Sequence, residues 1–135
     1  SKQVVALILC GKFHWLTEEE YKRTETEIPE DIRRDLLYDV SISRYEGMIY
    51  FPVVLVRDGR MIFYYNGSFN SKIKDKNELK KAVDKVFEQT PKPYLAVVTT
   101  DLEDFIKKAC GVRNVHEDFV NKDGRVKRKI LELGL

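Results

Sequence analysis

A chain of 135 residues, 43% hydrophobic and 34% charged, can bury one sizeable core and is too polar for a bundle of membrane helices. Its two cysteines, Cys10 and Cys110, belong to no CxxC pair, and its formal net charge is only +2, so neither a disulfide scaffold nor a uniform polyelectrolyte fits. No apolar run is long enough to span a bilayer, and the expectation is a single globular domain, 1–135, soluble and cytoplasmic, that engages no membrane.

Residues 3–10, QVVALILC, are apolar without alternation, which predicts a strand buried on both faces. Thr17 with Glu20 forms a capping box that predicts a short acidic helix over 18–24. Pro29 suits the first turn of a second helix, whose face would carry Ile32, Leu36, Leu37 and Val40. In MIYFPVVLVRDGRMIFYYNG the Asp58-Gly59 pair predicts a hairpin, with Pro52 marking an edge or a kink in its first arm. A third helix opens at Asp75 or Asn77 and carries the stripe Leu79, Ala82, Val83, Val86 and Phe87.

Residues 93–99, PYLAVVT, have the same character as 3–10 and predict a second doubly buried strand. Thr100 with Glu103 predicts a capping box for a fourth helix, with Leu102, Phe105, Ile106, Ala109 and Cys110 on one face and Gly111 as its stop. Asp123-Gly124 then predicts a second hairpin near the carboxyl terminus. Strands and helices interleave, so the expected fold class is α/β or α+β, with a mixed sheet of about five to six strands and helices on both faces.

Two candidate sites follow. If strands 3–10 and 93–99 lie parallel and adjacent, Lys12, His14, Thr100 and Asp101 converge beyond their carboxyl ends, beside a helix amino terminus that favours an anion. That arrangement would make a small enzyme or ligand-binding domain, with Lys12, His14 and Asp101 as the candidate catalytic groups. No glycine-rich phosphate loop supports it.

Charge layout carries the stronger expectation. Residues 17–46 hold ten acidic and five basic side chains, whereas residues 107–129 hold eight basic and three acidic ones. A basic carboxyl-terminal hairpin displaying Arg113, Lys122, Arg125, Lys127 and Lys129 would suit nucleic acid or an acidic protein, in a non-enzymatic binding protein. The surplus of aromatics in hairpin 47–66 points to double coverage, by helices or by a second copy in a homodimer. His14 and His116 lie at short spacings from the two cysteines, yet both cysteines sit on apolar stripes, so no metal and no cofactor is expected. Many Lys and Glu with scarce Gln (Gln3 and Gln89) resembles the composition of thermophile proteins.

Overall fold

A computed structural model describes residues 8–9, 12–13, 15–44, 47–70, 76–86, 88 and 94–133. In chain order these form β1 (Ile8–Leu9), β2 (Lys12–Phe13), α1 (Glu18–Glu27), α2 (Glu30–Arg33), β3 (Leu36–Arg44), β4 (Gly47–Arg57) and β5 (Arg60–Tyr64). They continue as α3 (Lys76–Val86), β6 (Leu95–Thr99), α4 (Leu102–Cys110) and α5 (Val120–Glu132). The fold is α+β: a four-stranded mixed sheet in the order β3-β4-β5-β6, antiparallel except for the parallel β5–β6 pair.

Helices cover both faces, as the interleaved order implies. On one face α1, α2 and α4, with the residue that ends α1, contribute Ile28, Ile32, Leu102, Phe105 and Ala109 to a cluster with Val53, Leu55, Ile62 and Tyr64. On the other, α3 and α5 contribute Leu79, Val83, Val126 and Ile130 to a cluster with Val54, Val56, Phe51 and Phe63. Strict alternation along β5 and its exit sends Met61, Phe63 and Tyr65 to one cluster and Ile62 and Tyr64 to the other. Phe51, Phe63, Tyr64 and Tyr65, among the aromatics that suggest a homodimer, are therefore buried within this one chain.

Local chemistry builds the elements much as the sequence indicates. Thr17 Oγ1 accepts from Glu20 N and Glu20 Oε1 accepts from Thr17 N, which closes the capping box. Arg23 bridges Glu27 on its own helix and Glu103 on α4, both at 2.6 Å, and its hydrogen bond holds the Glu27 carboxyl below its ordinary value. The Asp58-Gly59 hairpin forms with positive φ at both residues, 51° and 72°. Leu79 and Val83 are buried as expected; the side chains of Ala82 and Val86, and all of Phe87, lie outside the described residues.

The segment from Leu36 to Val40 is strand, not helix. Leu36, Leu37 and Val40 pair with Leu55, Val54 and Phe51, giving the aliphatic arm of β4 a partner on its otherwise open side. The β-branched content of VSIS favours the pleat once that partner is present. Pro52 marks a kink in an internal strand. It stands opposite Asp39, whose φ is 56°, and there both strands exchange faces without losing register. Leu36, Val53 and Leu55 belong to one cluster, while Val40, Ile42, Ile49 and Phe51 belong to the other. Asp39 Oδ1 also accepts from Trp15 N at 2.7 Å.

The second hairpin is a helix. Asp123, Val126 and Ile130 are buried and recur at helical spacing, with Leu133 packed beside them. The run RVKRKILEL is rich in good helix formers, which override a lone turn dipeptide. Two anticipated strands are thus lost, and β3 is gained. Gly124 sits inside α5, and a Cβ placed on it would meet nothing within 4 Å. Gly124→Ala is therefore expected to stabilise the protein by roughly 0.5–1 kcal/mol, read as a higher urea midpoint with unchanged slope; a hairpin turn at that position would instead be destabilised.

Candidate functional site

The carboxyl-terminal helix supplies the most organised charged surface. One face of α5 is anchored by Val126 and Ile130, and its last turn is tied to the sheet edge where Leu133 O accepts from Ser43 N at 2.9 Å. Arg125, Arg128 and Lys129 recur at spacings of three and four and are exposed, with exposed Glu132 among them, while half-buried Lys122 stands one turn earlier at the edge of the core face. Among the described residues none of these four cations pairs with a carboxylate; Lys122 Nζ lies 5.9 Å from the centre of the Phe119 ring.

Of the basic residues expected to act together, Arg125 and Lys129 share this exposed side, and Lys122 flanks it one turn earlier. Lys127 does not, because its ammonium is turned inward to Asp35 Oδ1. An extended strand would have put Lys127 beside Arg125 and Lys129 and sent Arg128 to the far side; a helical turn of 3.6 residues exchanges their places. Arg113 is exposed ahead of the helix, and its carbonyl accepts from Arg57 Nη2 at 2.9 Å.

A second constellation joins α5 to the first hairpin. The Asp123 carboxylate accepts from Asp58 N at 2.8 Å, Gly59 N at 3.2 Å and Tyr94 Oη at 2.5 Å. Phe119 lies over the turn so closely that a Cβ on Gly59 would meet its ring at 2.6 Å. Burial, then the hydrogen bond to Asp123, pushes the Tyr94 hydroxyl well above its ordinary value, so it stays a donor. Asp58 Oδ1 in turn accepts from the backbone and the ring Nδ1 of His116, each at 2.8 Å. Burial pushes the Asp58 carboxyl up, but the two His116 hydrogen bonds outweigh it and leave it below its usual range. The sequence marks both Asp-Gly pairs only as turns, and nothing in their spacing announces that one clamps the other.

The amino-terminal candidate is only partly in view. Ile8–Leu9 pairs antiparallel with Lys12–Phe13 in a separate two-stranded ribbon, while β6 pairs with β5. Residues 3–7, Cys10, Gly11 and His14 lie outside the described residues, as does the Lys12 side chain. Thr100 is exposed and is not the cap of α4. Asp101 is: its carboxylate accepts from Glu103 N at 3.2 Å, a shorter reach that puts a negative group where an anion was expected.

Elsewhere, Glu25, Glu30, Arg33, Arg34 and Tyr38 line an open pocket of about 310 Å³ whose two carboxylates and two guanidiniums offset one another. Among the described residues no cluster of His, Cys, Asp and Glu is placed to hold a metal ion, and no helix is long and apolar enough to cross a membrane. Compared with known proteins, the chain matches no family model, no curated protein and no solved structure.

Proposed function

We propose that this is a non-enzymatic binding protein whose helix α5 lays Lys122, Arg125, Arg128 and Lys129 along the phosphates of a nucleic acid. The observation that carries the reading is the cation row on the outer face of a helix whose inner face is fixed in the core. Fixing the backbone lowers the ordering cost of binding, so that chiefly the long side chains must be immobilised. Lys122, Arg125 and Arg128 rise roughly 4.5 Å from one to the next along the axis, with Lys129 one residue further on, a spread commensurate with a phosphate backbone. α5 exposes Val120 and Leu131 but no aromatic anchor of the kind that marks a protein-binding hot spot, so its cations favour phosphates over an acidic protein.

Fluorescence anisotropy with a short DNA duplex, a single-stranded RNA and an acidic peptide, at about 50 and 200 mM salt, tests this. Four phosphate contacts predict that log K falls with log salt at a slope of roughly −3 to −4. The double variant R125E/K129E is expected to lose about tenfold or more in affinity while keeping its helical circular dichroism. Binding of neither nucleic acid at low salt, or undiminished binding by the charge-reversed variant, overturns the reading. Binding of the acidic peptide alone reassigns the surface to a protein partner.

A further inference from the structure

We infer that His116 is a protonation-controlled phosphate contact that extends the α5 cation row around the Asp58–Gly59 turn, so that nucleic-acid binding tightens as pH falls. This rests on the nucleic-acid reading above and adds a regulated position to it. His116 lies one short 3-10 turn, Glu117–Phe119, ahead of α5, and its side chain is 76% exposed. Its Nδ1 is committed to Asp58 Oδ1, so Nε2 is the nitrogen left to meet a ligand. A phosphate oxygen needs a donor there, and with Nδ1 carrying its own proton toward Asp58, Nε2 donates only when the ring is protonated.

Charge points the same way. Asp58 is the carboxylate against the ring, and with a neutral imidazole this pair carries one negative charge, linked to Lys122 through the Phe119 ring that lies against Gly59 and beneath the Lys122 ammonium. Protonation cancels that charge. The other ionisable groups around the ring are Arg60 across the turn, Arg113, Glu117 and Asp118 on its own segment, and Lys122, Asp123 and Tyr94 behind the clamp. Arg60 and Arg113 are exposed and add positive charge, while exposed Glu117 and Asp118 oppose it. Histidine is the side chain that ordinarily changes charge in the physiological range.

The test measures duplex affinity at about pH 5.5 and about pH 8 over the same salt range, using the full chain and the variants His116→Gln, His14→Gln and Asp58→Asn. In the unmodified protein the salt slope should steepen by about 1 at the lower pH, with tighter binding. His116→Gln should bind as the parent does at high pH and show no steepening. His14→Gln should keep the response, which excludes the other histidine. Asp58→Asn keeps a residue that tolerates the left-handed turn and removes the opposing charge, so it should bind tighter at high pH. A pH response that survives His116→Gln or vanishes in His14→Gln overturns the inference, as does a parent protein that binds at high pH with no pH response. No binding at either pH removes the nucleic-acid reading itself.

Discussion

Replacing Arg57 by Ala is expected to cost roughly 3–5 kcal/mol of folding stability. The Arg57 guanidinium is buried at the end of β4 and uses every nitrogen. Nε donates to Val112 O at 2.8 Å, Nη1 to Asp31 O at 3.2 Å and Asp35 Oδ2 at 2.7 Å, and Nη2 to Arg113 O at 2.9 Å. One residue thereby fastens the sheet to α2, to the segment leaving α4, and, through Asp35 and Lys127, to α5. Removing it strands three carbonyls and leaves Asp35 with Lys127 alone. Lysine restores the charge but offers no planar fork, so Arg57→Lys should recover only a minor part. Urea unfolding of both variants decides the matter; an Arg57→Ala loss below about 1 kcal/mol would show that water replaces the network without penalty.

Asp123→Ala is expected to cost roughly 3 kcal/mol. The carboxylate closes a turn whose two backbone donors have no other acceptor in the clamp, and the left-handed φ of Asp58 persists because its surroundings hold it. Asparagine at 123 retains one acceptor but points an amide at a donor, so Asp123→Asn should lose more than half as much. Amide hydrogen exchange locates the effect: Asp58 and Gly59 should be protected in the parent protein and exchange freely in Asp123→Ala. Slow exchange at both amides in that variant would show that another group closes the turn.

These two side chains also mark how far sequence reasoning reaches. The dipeptide Asp-Gly occurs twice with opposite outcomes. Asp58-Gly59 is flanked by VVLV and MIFYY, whose β-branched and aromatic residues fit a pleated sheet, and it turns. Asp123-Gly124 is flanked by VNK and RVKRK, mostly Lys and Arg, and its carboxylate satisfies distant donors, so local turn chemistry gives way to helix. The capping box at Thr17 and the stripe of Leu102, Phe105, Ile106 and Ala109 are legible because every determinant lies within one turn or one helix. Leu36 to Val40 are not, because their spacing suits a helix face as well as a pleat, and the deciding factor is a strand eleven or more residues away in sequence.

The basic surface is legible as an excess of charge but not as a geometry. Composition shows that cations concentrate near the carboxyl terminus, and only the helix reveals that Arg128 joins the row while Lys127 leaves it for Asp35. The His116–Asp58 pair spans 58 residues, a separation that no motif encodes.

The exchange of faces at Asp39 and Pro52 has a consequence for how the molecule comes apart. One hairpin supplies side chains to the hydrophobic clusters above and below the sheet, so neither can melt while the other persists. Denaturation is expected to be a single cooperative event, with damage on either side lowering the same midpoint. A perturbation at the buried Phe105 end is therefore transmitted to the footing of the carboxyl-terminal helix, although the sheet stands between them.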